Sequence, residues 1–226
     1  MNTFNLKIFA IVGMTLNHIA ILFGEYIPPI LRFPMILAGG ITFPIMAYLL
    51  VEGFRKTSSR FKYAVRLFVF AILAVPPTYL ASQPMPLNVL FTLLLGMLAI
   101  FLYEKQTNRY LFWLNFVVIL LVSLLCDWGF FGIILILAFW VIKDRRIRIF
   151  RSVTVLALFM GSMGVLSLGS DTEVALKTIF FAIGVLMSIP LLLAYNGQRG
   201  RKLKYFFYVY FPLHWSLLVL LEYLIK

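Results

Sequence analysis

One cysteine, two histidines and eight acidic side chains are a small allowance of reactive groups for a chain of 226 residues. The single Cys126 excludes an internal disulfide and any multi-cysteine metal site. Two histidines without a cluster of intramembrane carboxylates make a poor metal site, so no metal is expected. Charged residues make up only 12% of the chain, and no polar segment is longer than a short loop. A soluble globule or a separate extramembrane domain is therefore not expected. The first apolar run is followed by no small-residue cleavage site of the A-x-A type, so it reads as a retained span rather than a signal peptide.

What the chain has instead is apolar length. It is 63% hydrophobic, and runs of about 18 residues or more, each enough to cross a bilayer as a helix, recur from end to end. The reading is an all-α polytopic membrane protein in which residues 1–226 form a single transmembrane domain. About nine spans are expected, near 5–24, 31–53, 62–82, 87–104, 110–126, 128–143, 151–168, 174–195 and 205–225. Every Lys and Arg except Lys7, Arg32, Lys177 and Lys226 falls in or beside four loops: "RKTSSRFK", "EKQTNR", "KDRRIRIFR" and "NGQRGRKLK". These loops alternate with acidic or neutral ones. The positive-inside rule then predicts a cytoplasmic N-terminus, an outer C-terminus and residence in the cytoplasmic (inner) membrane. The formal charge of +12 is accounted for by orientation and by attraction to anionic membrane lipids, not by nucleic acid.

Both histidines lie inside apolar runs. His18 is eleven residues past Lys7 and His214 ten past Lys204. At helical rise both are expected about 15–17 Å into the bilayer. Ionisable groups at that depth usually face a bundle interior or a wet cavity. Lys7, Ile11, Met14 and His18 share one helix face, as do Phe207, Tyr210 and His214. The residues admit two readings of the pair: structural histidines hydrogen-bonded between helices, or a site for acid–base catalysis or proton relay. In the catalytic reading His18 is the base and His214 its partner. Asn17, Asn88, Glu52 and Tyr210 are candidates to orient substrate. Lys7, Arg60, Arg66, Arg201 and Lys204 are candidates to bind phosphates at the cytoplasmic mouth. Helix capping and snorkelling would equally explain Asn88 and Glu52. Gly39, Gly40 and Pro44 in "AGGITFP" predict close packing or an irregular turn within the second span.

In order along the chain, "LKIFAIVGMTLNHIAILF", "AGGITFPIMAYLLVEGFRKTSSRFKYAVRLFVFAIL", "LNVLFTLLLGMLAI", "DWGFFGIILIL" and "KYFFYVYFPLHWSLLVL" resemble the TraX family, whose name comes from a pilin-acetylating protein of conjugative plasmids. Asn17 stands where that family typically has Asp, and Gly39-Gly40 where Gly-Arg is common. The chain looks like a member of the wider superfamily of integral-membrane acyltransferases, in which a basic residue precedes a first-span histidine by eleven positions. The resemblance implies acetyl or acyl transfer from cytoplasmic acetyl-CoA, a CoA thioester donor. The implied acceptor is the N-terminus of a pilin or secreted peptide, or a hydroxyl of a glycan or lipid. Two other functions compete: a proton-coupled transporter or flippase working through the two histidines, and a non-catalytic assembly protein.

Overall fold

The computed structural model describes residues 1–81, 86–201 and 205–225. Among them ten α-helices follow one another: α1 (Thr3–Leu22), α2 (Pro29–Gly40), α3 (Thr42–Lys56), α4 (Arg60–Leu80), α5 (Val89–Lys105), α6 (Arg109–Ser123), α7 (Gly129–Val141), α8 (Arg145–Leu166), α9 (Thr172–Leu193) and α10 (Phe206–Ile225). Six helical lengths are long and apolar enough to cross a membrane: α1, the joined α2–α3, α4, α8, α9 and α10. Helices α6 and α7 are shorter and apolar. The protein is an all-helical, multi-pass membrane protein.

Apolar periodicity cannot place the helix ends in so hydrophobic a chain; polar caps do. Asn2, Ser59, Asn88, Asn108, Asp144 and Asp171 each accept a hydrogen bond from a backbone N–H in the first turn of the helix that follows. Each satisfies a donor that the helix itself cannot. The second span is broken, as "AGGITFP" predicts. Helix α2 stops at Gly40 and α3 starts at Thr42, because Pro44 has no N–H to offer the Gly40 carbonyl.

The chain divides into two compact units. The first comprises Met1–Tyr48 and Ile142–Leu203. In it α2 packs between α1 and α9, and α9 in turn packs on α8. The contacts are backbone-close, and small residues permit them. A Cβ on Gly13 would overlap the Ala38 carbonyl, one on Gly40 the Phe181 carbonyl, and one on Gly184 the Leu37 carbonyl. This is the small-residue packing that brings helices together in lipid, where no hydrophobic force separates them from the solvent. Gly184→Ala should therefore cost about 1–3 kcal/mol, read as a lower melting temperature in detergent. Gly169→Ala, whose Cβ would meet nothing within 4 Å, should leave that temperature unchanged.

The second unit comprises Leu49–Val141 and Lys204–Lys226. Helix α4 packs between α10 and α5, and α6 and α7 pack on α5 and on each other. Phe112, Phe116, Ile119, Ala99 and Ile133 form the buried centre of the α5–α7 group. The segment entering α5 is tied to the α6–α7 turn by two hydrogen bonds, Leu87 N to Leu125 O and Asp127 N to Leu87 O, both 3.0 Å.

Candidate functional site

Lys7, Asn17, His18 and Arg201 belong to the first unit. Leu6, Ala10, Gly13 and Ala20 are the buried residues of α1. Asn17 continues that line, and its side chain fills the place a Cβ on Gly39 would take. The Gly39-Gly40 pair thus has two tasks, one glycine admitting Asn17 of α1 and the other admitting α9. His18 is half-buried beside Asn17. Helix α1 runs from Thr3 to Leu22, so His18 lies about 22 Å from its start and about 6 Å from its end.

The start of α1 is seated on the end of α9. The Met1 ammonium donates to Ala194 O at 2.6 Å. Asn196 N donates to Met1 O and Thr3 N to Gln198 O, both at 2.8 Å. The Thr3 and Tyr195 hydroxyls share a bond of 2.9 Å. Arg145 donates to Leu192 O at 3.0 Å, to Leu193 O at 3.1 Å and to Tyr195 O. Two cations thus cover carbonyls that α9 leaves without helical partners, at the negative end of its dipole. Lys7 is within electrostatic reach of Arg199, and Arg201 lies 5.8 Å from the Phe4 ring centre. Arg148 is buried at 5% exposure, with its guanidinium 5.4 Å from the Tyr48 ring centre. Tyr48 meets Tyr195 edge-on at 6.1 Å.

Arg145 and Arg148 are absent from the residues chosen by sequence. In "KDRRIRIFR" every base reads as an orienting charge. The signal that distinguishes Arg148 is its register with Ile149, Val153, Leu156 and Ala157, the buried stripe of α8. No local signal marks Arg145, whose partners lie about fifty positions away.

Glu52, Arg60, Arg66, Asn88, Tyr210 and His214 belong to the second unit. Glu52 pairs with Lys56 at 3.2 Å and Arg55 at 3.5 Å on its own helix. Arg55 in turn donates to Trp140 O at 3.2 Å, capping α7. Arg60 pairs with Glu104 and lies 4.1 Å from the Phe54 ring centre, so it closes α4 onto α5. Asn88 is buried. Its Oδ1 accepts from Leu90 N at 3.1 Å and its Nδ2 donates to Ala71 O of α4 at 2.9 Å. Asn88→Ala should cost about 1–2 kcal/mol in thermal stability through the lost cap and the lost bond from the start of α5 to α4. Asn88→Asp keeps the cap acceptor but sets a second acceptor against Ala71 O at a buried position, so it should cost at least as much. Lys204 lies outside the described residues.

His214 is buried at 4% exposure, near the middle of α10. Its Nδ1 is 3.0 Å from Tyr210 O, and its ring stacks on that of Tyr210 with centres 5.2 Å apart and planes 7° apart. A carbonyl can only accept, so in the neutral ring the proton is on Nδ1 and Nε2 carries the lone pair. Phe211 and Trp215 enclose the ring, at 5.5 and 5.6 Å. One helix therefore sets both the plane and the tautomer of this imidazole.

Arg66 faces along α4 rather than into the preceding loop. Its guanidinium is 5.6 Å from the Tyr63 ring centre and within electrostatic reach of the Tyr208 hydroxyl of α10. Tyr208 is stacked on Phe70 at 5.3 Å, and Gly53 leaves room for the Tyr63 ring, which a Cβ would approach to 3.1 Å.

These features define a polytopic helical membrane protein with a buried imidazole of fixed tautomer in one unit and a basic helix-end cluster in the other. The chain belongs to the TraX family: the model of the TraX protein matches residues 3–222. It is also similar to the "Probable fimbrial assembly protein FimC, serogroup H1" of Dichelobacter nodosus, with 30% identity over 246 aligned positions that cover 96% of this chain and 94% of that one. No solved structure matches it.

Proposed function

We propose that this protein is a membrane acyltransferase that moves an acetyl or other acyl group from cytoplasmic acetyl-CoA to an amine or hydroxyl acceptor. A fimbrial subunit or secreted peptide with a free N-terminus is the acceptor that best suits both the family and the relative's name. The attacking nitrogen forms a bond to the thioester carbonyl carbon and gives its proton to an imidazole. The carbon–sulfur bond breaks, and the CoA sulfur leaves with a proton. The observation that supports this most is the set tautomer of His214, which presents a basic Nε2 from a ring held by Tyr210. Imidazole is the side chain whose ordinary pKa suits proton transfer near neutrality. His18, in the first unit, is the other imidazole whose substitution tests the proposal. Lys7 and Arg201 bind the donor's phosphates at the α1 end of the first unit, while Arg60 and Glu52 hold the second unit together.

The test is transfer by the purified protein in lipid nanodiscs, given acetyl-CoA and a synthetic peptide bearing a pilin-like N-terminus. Release of CoA thiol with matching acetylation of the peptide is the expected result. Neither transfer nor thioester hydrolysis, in a preparation that is folded, would reject the enzyme reading in favour of an assembly role.

The accompanying topology has nine spans with the N-terminus inside. Of the three bases on the outer side, Arg32 and Lys177 are both paired with Glu173, at 3.2 and 2.7 Å, and they are few against the sixteen in and beside the four basic loops. Single cysteines at Arg60, Arg109, Arg146 and Arg201, in a chain with Cys126 replaced, should resist an impermeant thiol reagent added to intact cells. Labelling of two or more from outside would overturn the orientation.

A further inference from the structure

We propose that this protein pairs with a second copy of itself through α6, where Asn115 of each copy hydrogen-bonds Asn115 of the other inside the membrane. Asn115 is the one amide in this apolar helix. It lies about 9 Å along α6 from Arg109 and about 12 Å from Ser123. One face of α6 serves its own unit: Phe112, Phe116, Ile119 and Ser123 are buried, and α6 packs on α5 and α7. Asn115 stands at the flank of that face and is half-buried. Among the described residues no hydrogen bond reaches its amide. Acyl chains offer none either, and an amide left without a partner in an apolar medium is costly.

A second stripe runs beside the buried one: Leu111, Asn115, Val118 and Val122, spaced four, three and four. That is the repeat of a two-helix seam, with Asn115 and Val122 at a and Leu111 and Val118 at d. The three apolar members are all exposed. A stripe with this period keeps facing a parallel partner helix, and a single asparagine at a fixes register and chain number. The chemistry selects a second copy as that partner. An amide is both donor and acceptor, so Nδ2 of each Asn115 can donate to Oδ1 of the other. Copies inserted in the same orientation are related by a two-fold axis along the membrane normal, which brings the two amides to one depth. Hydrogen bonds of this kind, with close packing, are what join helices in lipid. No charge obstructs the seam at its start, because Arg109 leans over the Tyr103 ring of α5, 5.1 Å from its centre. The pairing does not depend on the acyl-transfer reading.

Two measurements test it. In the first, single cysteines replace Leu111, Val118 or Val117 in a chain with Cys126 replaced, and membranes are oxidised. Leu111→Cys and Val118→Cys should form cross-linked dimers. Val117→Cys, also exposed but off the stripe, should not. In the second, association in lipid vesicles is followed by energy transfer between labelled copies as lipid is added. Asn115→Leu should lower the association constant at least tenfold, Asn115→Gln should restore part of it, and Val117→Ala should leave it unchanged. The cysteine variants keep Asn115, so the cross-linking pattern decides if Asn115→Leu fails to fold. A wild type that stays monomeric at high protein-to-lipid ratio overturns the proposal. So does undiminished association in Asn115→Leu, or cross-linking at Val117→Cys as readily as at Val118→Cys.

Discussion

Replacing His214 with alanine should lower the rate of acyl transfer by about 10²–10⁴-fold, the range lost when a positioned proton-transfer group is removed. Alanine also removes a buried ring packed among Tyr210, Phe211 and Trp215, so part of the loss could come from unfolding. His214→Asn separates the two effects. The asparagine Nδ2 stands near the place of Nδ1 and can donate to Tyr210 O, while nothing replaces Nε2. It should melt close to wild type and still be inactive. Retained turnover in His214→Asn would show that the histidine is there for the hydrogen bond alone. His18→Ala belongs in the same experiment. His18 is half-buried near the end of α1, so the substitution should disturb packing less. Loss of activity at unchanged melting temperature is the expected outcome for a second catalytic imidazole. Near-wild-type turnover would remove His18 from the mechanism.

Lys7→Ala should weaken binding of the CoA donor by about 10–100-fold, the equivalent of one charge-assisted hydrogen bond of about 1.5–3 kcal/mol. The effect belongs in donor KM and in the dissociation constant measured by calorimetry, with little change in kcat at saturating donor. Lys7→Arg should restore much of the affinity, since the charge is kept. Arg201→Ala should cost less, because its guanidinium is exposed beside Phe4 and solvent screens it. Unchanged affinity in Lys7→Ala and in the double variant would leave these bases as determinants of orientation only.

Much of the fold was legible because membrane helices obey few rules. The apolar runs were read at the right places, and Gly39, Gly40 and Pro44 marked the break between α2 and α3. For Asn88 the sequence left capping and substrate orientation both open; it caps α5, and its second bond, to Ala71 O, joins elements seventeen positions apart and leaves no local trace. The loop bases were harder. Orientation, capping, ion pairing and ligand binding all use the same residue types. Only the fold shows that Arg60 meets Glu104, that Arg145 covers the end of α9, and that Arg148 turns inward under Tyr48. Arg66 was selected for its nearness to a loop, yet its neighbours are the tyrosines of two helices. The first helix was read as 5–24 and runs from Thr3 to Leu22, its start fixed by the Asn2 cap.

The seat of α1 on the end of α9 also sets a clock for biosynthesis. Thr3 bonds Gln198, a residue 195 positions later. At a translation rate of about 5–20 residues per second, the first helix waits roughly 10–40 s after its own synthesis before that partner exists. The whole of Leu49–Val141 is made in the interval and packs mostly within its own unit. Until then the leading segment has α2 as its packing partner but lacks the hydrogen bonds that seat its start. Truncation before residue 198, or a bulky tag ahead of Met1, would leave the nascent chain in that waiting state.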